Sequence, residues 1–251
     1  MYRWYLIFFV VSIAGLAAII YLDSRPDDTD EDLAQPSSNP QHHESFGQTS
    51  ETYFDFHSDI DVSSQESIEF RIGEIEQRLS EIDARSRGAI PFYGELVLLY
   101  QQLGRQDGAA EASRHIAMIA DDAEDWWRAG LFNHQWAQRL TDQSGRDFYL
   151  NRSAEAFEEA IILSDNPSLY TDFSITLISL GDENRAVQML QDTISDNPDY
   201  YRAFLYLGMI YYESDKKDES IAYINRSIEM ANTDEELEII HSLIAGTSIE
   251  I

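Results

Sequence analysis

The sequence predicts an all-α chain: an α-solenoid of stacked helical hairpins behind an N-terminal transmembrane helix. Three observations predict it. Residues 4–22 carry no charge, apolar residues between 68 and 82 step by four and three, and the stretch after residue 168 resembles itself at an offset of 34. The organisation follows from these signals: an anchor over 1–22, an acidic tether over 23–64, an amphipathic helix over 65–88, and a hairpin domain over 89–251 with about four hairpins and a C-terminal capping helix.

Composition bounds the chemistry. The 251 residues include 46 acidic and 17 basic side chains, a formal charge of -29. Such a surface repels phosphate backbones, which excludes nucleic acid as a partner class. There is no cysteine, so disulfides, thiolate metal sites, thiol nucleophiles and covalent haem attachment through this chain are ruled out.

The anchor reads WYLIFFVVSIAGLAAIIYL, 19 uncharged residues. As a helix it reaches roughly 28 Å, close to the hydrocarbon thickness of a bilayer. Trp4, Tyr5 and Tyr21 stand at its two ends, where aromatic rings favour the headgroup region. A cleaved signal peptide is the rival reading, with Ala14, Ala17 and Ala18 near a possible cleavage site. The apolar run continues through Ile19, Ile20, Tyr21 and Leu22, which favours an uncleaved span. Arg3 precedes the run and Asp23 follows it. The positive-inside tendency then puts the start in the cytoplasm and the rest outside, in a bacterium the periplasm.

Residues 23–64 hold 11 acidic residues against Arg25 alone, the composition of a disordered, self-repelling tether. Such a chain spans roughly 35 Å root-mean-square. His42, His43, His57, Asp59 and Asp61 lie in it without the fixed spacing that holds a metal ligand set together. Tyr53, Phe54 and Phe56 form a short aromatic cluster, suited to settling on the folded domain or to docking elsewhere. The seam Ile68, Ile72, Ile75, Leu79 and Ile82 then steps by 4, 3, 4 and 3, as in a coiled coil. Over about two heptads it serves either packing on the next helix or self-association into a homo-oligomer.

The strongest signal is the repeat. At an offset of 34, Tyr170 pairs with Phe204, Phe173 with Leu207, Ser174 with Gly208, Leu177 with Tyr211, Ala186 with Ser220, Leu190 with Ile224, Thr193 with Ser227 and Pro198 with Asn232. Large residues meet large ones and small meet small, so two helices approach at the small positions while the large ones fill the space between. Tyr93, Leu96, Val97, Tyr100, Gly104 and Ala109 hold the same phase upstream. Trp126, Ala129, Gly130, Phe157 and Ala160 mark a further hairpin. Trp126 to Pro167 spans 41 residues, which calls for extended helices or a longer loop near Thr141 to Arg146. The tail at 233–246 reads as a solvating terminal helix.

These positions resemble the tetratricopeptide repeat (TPR) family over roughly residues 90–246. The order of anchor, repeats and acidic final helix resembles membrane-anchored bacterial members. These include periplasmic factors of c-type cytochrome assembly in the NrfG and CcmH group, and translocon-associated and Tol-Pal-associated repeat proteins. The resemblance implies a right-handed superhelix that binds a protein or peptide segment along its concave face, without catalysis or cofactor. Within it, a membrane-anchored scaffold is the leading expectation. An apocytochrome-presenting factor, an export-associated chaperone-like helper and a structural oligomer through the 68–82 helix are the alternatives.

No phosphate loop, HExxH or GxSxG motif occurs, and the expected class is not an enzyme. Glu158 with Glu159, or Asp121 with Asp122, suit solvated surface better than acid-base pairs, and His115 suits packing better than ligation. Asn151 and Asn225 open glycosylation-like triplets inside expected helices. By the repeat phase, the first helix of each hairpin lines the groove. Its candidates are Trp127, Leu131 and His134, then Thr171, Ile175 and Ile178, then Arg202, Leu205, Met209 and Tyr212. Each of them has packing against the next hairpin as its alternative role. A carboxylate clamp of lysine and asparagine is absent from these positions, and an apolar groove with one arginine suits an extended or helical hydrophobic segment. Residues 65–251 carry 35 acidic and 15 basic side chains. This charge fits either a salty medium or a basic partner.

Overall fold

The computed structural model describes residues 64–245. The anchor at 1–22, the tether up to residue 63 and the last residues, 246–251, lie outside the described residues. Among those described, no helix is long and apolar enough to cross a membrane.

Helix α1 (Gln65–Glu81) begins at a reciprocal cap: the Ser64 hydroxyl accepts from the Ser67 amide and the Ser67 hydroxyl accepts from the Ser64 amide, each at 3.2 Å. Its buried face is Ile68, Ile72, Ile75 and Leu79. They pack with Ala89, Tyr93, Leu96, Val97 and Tyr100, from a 3-10 turn (Arg87–Ala89) and helix α2 (Ile90–Gln102). Ile82 ends the helix in extended backbone and is 41% exposed, so the seam closes at Leu79. Two polar contacts pin α1 sideways. Arg71 grips Glu95 with both arms of its guanidinium, at 2.6 and 3.0 Å. The Tyr100 hydroxyl donates to Glu76 at 2.7 Å. The four-three spacing is thus met by the chain's own next helix, and a second copy would have to displace α2 to reach it.

Four hairpins follow. Helix α2 pairs with α3 (Gln106–Ala120), α4 (Ala123–Arg139) with α5 (Gln143–Leu163), α6 (Pro167–Ser179) with α7 (Glu183–Asp196), and α8 (Tyr201–Glu213) with α9 (Lys217–Met230). Helix α10 (Asp234–Ala245) closes the array by burying Ile240, Leu243 and Ile244 on the last hairpin. In three hairpins the turn between helices is a left-handed residue: Gly104 at φ 69°, Gly181 at φ 84° and Asp215 at φ 59°. The next amide reaches back five residues each time: Arg105 to Tyr100 at 2.8 Å, Asp182 to Leu177 and Lys216 to Tyr211 at 2.9 Å. This is the Schellman closure, and it turns the chain tightly enough for the second helix to fold back on the first.

The second hairpin departs from the pattern. Its helices run 17 and 21 residues, against 13 to 15 in the other three. The extra chain between Trp126 and Pro167 therefore goes into helix. Gln143 to Arg146 form the first turn of α5, capped by the Asp142 carboxylate on the Gly145 amide at 2.7 Å.

Between helices the small positions do what size requires. A Cβ on Gly208 would lie 2.6 Å from the Ile224 side chain and 3.2 Å from backbone atoms of α9. Ser174, Ala186 and Ser220 are buried at equivalent crossings. Phe157 and Phe173 stack at 5.9 Å between centroids and join the second hairpin to the third. Burying each such large side chain is worth about 1.5–3 kcal/mol.

Candidate peptide-binding face

In a solenoid of hairpins the first helices stack side by side, and here α4, α6 and α8 form one continuous face. The structure places the ten candidates in two groups. Leu131, Ile178, Arg202 and Tyr212 are half-buried and reach the surface. Trp127, His134, Thr171, Ile175, Leu205 and Met209 are buried. Ile175, Leu205 and Met209 belong to the core that runs from α6 to α10. Thr171 donates its hydroxyl to the Ser168 carbonyl at 2.9 Å. These buried side chains set the spacing of the hairpins.

Polar bridges tie the same helices together. The Trp127 indole N–H donates to Asp172 Oδ2 at 2.8 Å, and Arg202 Nη2 donates to Asp172 Oδ1 at 2.9 Å. Arg202 also donates to the Tyr206 hydroxyl at 3.0 Å. Burial works against the Arg202 charge, but Tyr200, Tyr206 and Asp172 outweigh it and hold its pKa well above the ordinary value. The arginine expected to meet a partner is thus already engaged, by a carboxylate that is itself 8% exposed.

A second bridge centres on His134. Its Nδ1 lies 3.0 Å from Thr176 Oγ1, and Gln138 donates to its Nε2 at 3.0 Å. With Nε2 accepting, the proton sits on Nδ1. Thr176 is 3.2 Å from the Ser153 hydroxyl, which donates to the Gly130 carbonyl at 2.8 Å. Burial lowers the His134 pKa to about 4, so the ring is neutral at ordinary pH.

What remains for a partner is an apolar strip. Leu98 on α2 is 42% exposed, and by the repeat phase it stands one hairpin before Leu131. On α6 and α8 the equivalent residues, Ile175 and Met209, are buried, and Ile178 and Tyr212 one turn further along reach the surface instead. Sequence reasoning named no groove residue on the first hairpin and so missed Leu98, although its phase was available from Leu96 and Val97. It missed Asp172 and Tyr206 as well. An aspartate in a chain this acidic carries no distinguishing mark, and only the meeting of Trp127 and Arg202 on it reveals its role.

Several other titratable groups have structural roles. His115 stacks on Tyr93 at 4.7 Å, and burial lowers its pKa. Glu158 pairs with Arg185 at 2.8 Å. Asp122 caps α4 by accepting from the Asp125 amide at 2.9 Å. Burial, then the Asp122 charge, pushes the Asp125 carboxyl up to about 7. Among the described residues no three His, Cys, Asp or Glu side chains gather as metal ligands.

Comparison with known proteins agrees with this geometry. Residues 201–234, which take in α8, α9 and the start of α10, match the tetratricopeptide repeat model. No curated protein matches the chain. Among solved structures, TTC0263, a thermophilic TPR protein in Thermus thermophilus, superposes with a TM-score of 0.52 at 15% identity, over 72% of this chain and 91% of that one. MamA gives 0.49 at 19% identity over 69% and 92%. PilW, a widely conserved type IV pilus biogenesis factor, gives 0.42 at 16% identity over 73% and 81%. At such identity the likeness to the Thermus protein establishes the fold, an all-α TPR-like solenoid, and nothing of role.

Proposed function

We propose that the chain is a membrane-anchored TPR scaffold that holds a hydrophobic protein segment along the face of its first helices, on the periplasmic side of a bacterial cytoplasmic membrane. The observation that carries the binding role is the strip of Leu98, Leu131, Ile178 and Tyr212, which stays accessible while its neighbours are buried. Trp127, Asp172 and Arg202 hold the helices that present it. An extended or helical apolar segment suits such a strip, because the arginine that would favour a carboxylate is already paired. The placement relative to the membrane is supported by the uncharged run at 4–22, with Arg3 before it and acidic chain after it.

The test is crosslinking from native membranes with the intact chain and with a Leu98→Ala, Ile178→Ala, Tyr212→Ala variant. A partner captured by the first and lost with the second is the expected result. The same proteins captured by both would sink the assignment of this face. Protease access from the outer side of intact spheroplasts checks the topology, and a domain protected there would reverse the placement.

A further inference from the structure

The described domain is acidic over most of its length, and much of the second hairpin carries fewer carboxylates than arginines. Residues 128–152 contain four arginines and two aspartates, whereas the rest of 65–251 contains 11 basic and 33 acidic residues. On this hairpin sits an aromatic outcrop. Phe148 is 54% exposed and meets Tyr149 edge-on at 5.1 Å, and Tyr149 meets Trp136 edge-on at 6.2 Å. The Arg152 guanidinium lies 5.5 Å from the Phe148 ring and is anchored by Glu111 of α3 at 2.6 Å. Arg139 is exposed and Arg146 half-buried nearby. The longer helices α4 and α5 carry this aromatic surface and its arginines.

We propose that this outcrop is the docking site of the chain's own segment 44–61. That segment reads ESFGQTSETYFDFHSDID, with five carboxylates, the rings of Phe46, Tyr53, Phe54 and Phe56, and no lysine or arginine. It complements the outcrop in charge and offers rings to stack on Phe148 and on the arginines. Reach also favours it. From Ser64 at the start of α1 back to Phe54 is ten residues, about 33 Å when extended. The first and second hairpins are direct neighbours, as the Arg152–Glu111 pair shows. Over most of the domain negative charge repels this segment, and the second hairpin is where arginines stand beside exposed rings that it can stack on. The attachment is intramolecular, which gives it a high effective concentration. It draws the chain leading to α1 against the second hairpin, independently of what the first-helix face binds.

The absence of native cysteine makes the test direct. In the full chain in detergent, Ser58→Cys is combined with Asn151→Cys beside the outcrop or, as control, with Glu235→Cys on α10. Mild oxidation should close the first pair within one chain at least about tenfold faster than the second. Adding Arg139→Gln and Arg146→Gln, or raising salt to about 0.5 M, should remove that advantage. Circular dichroism confirms that each variant is folded. Equal rates for the two pairs overturn the proposal, as does a rate indifferent to the arginines and to salt. Disulfide-linked dimers in place of the internal link overturn it too, and assign the outcrop to a second copy.

Discussion

Trp127 and Arg202 lie in different hairpins, 75 residues apart, and hold the two oxygens of one carboxylate, that of Asp172, at 2.8 and 2.9 Å. The pairing fixes the second, third and fourth hairpins relative to one another with a single side chain. Asp172→Ala leaves a half-buried guanidinium without its anion and should cost about 2–4 kcal/mol. Asp172→Asn keeps an acceptor for the indole but loses the ion pair, and should cost less. Urea titrations of both variants check the order, and equal losses would show that the Trp127 bond contributes little beside the ion pair.

A methyl group separates two glycines of opposite character. Gly208→Ala drives a Cβ to 2.6 Å from Ile224 with backbone at 3.2 Å behind it, so α8 and α9 must part, at about 1–3 kcal/mol. Gly73→Ala on α1 meets nothing within 4 Å and should gain up to about 1 kcal/mol from helix propensity. Thermal melts of the two variants should move in opposite directions.

The turn at Asp215 keeps φ at 59° where its counterparts are Gly104 and Gly181. Asp215→Gly should stabilise the last hairpin by up to about 1 kcal/mol by relieving the left-handed Cβ contact, and Gly181→Ala should destabilise the third by a similar amount. A drop in melting temperature for Asp215→Gly would show that the aspartate side chain supports the turn.

Two buried groups oppose each other in acid. His134 is neutral in the folded chain down to about pH 4, whereas the unfolded ring protonates near 6.5. Stability is therefore lost as pH falls between those values, by up to about 3 kcal/mol. The Asp125 carboxyl, pushed up to about 7, takes its proton in the folded chain before the unfolded one does. Its contribution rises as pH falls from about 7 towards 4. Asp125→Asn should steepen the acid loss and His134→Gln should flatten or reverse it, as read from urea midpoints between about pH 4 and pH 8.

Ile75 is 1% exposed in the middle of the α1 seam. Ile75→Ala should cost about 2–4 kcal/mol whatever the protein concentration, since the residues it touches belong to the same chain. A melting temperature that climbs with concentration in the parent protein and not in the variant would assign the seam to a second copy instead.

Much of this fold is legible in the sequence because the repeat pairs are steric. Gly208 faces Ile224, Ser174 holds the equivalent place one repeat earlier, and the size of the residues dictates where helices cross. The length of the second hairpin is legible too. Its distribution between helix and loop is not, because Asp142 caps α5 three residues after α4 ends, and an aspartate followed by glutamine, serine and glycine reads equally well as loop. Groove positions are the least legible. The phase that carries Leu131 and Ile178 to the surface also carries Leu205 and Met209 into the core, since the preceding hairpin, α9 and α10 gather around the latter pair.

Helix α1 also has a mechanical meaning. Tension entering the chain at Ser64 meets α1 before any hairpin, and there it works against the Arg71–Glu95 fork, the Tyr100–Glu76 contact and four apolar side chains at once. Because these contacts are spread along the helix, a pull along its axis loads them in parallel, whereas a pull away from α2 opens them one after another. The helix is a strain-bearing clasp, and the direction of the force decides whether the array behind it feels the load.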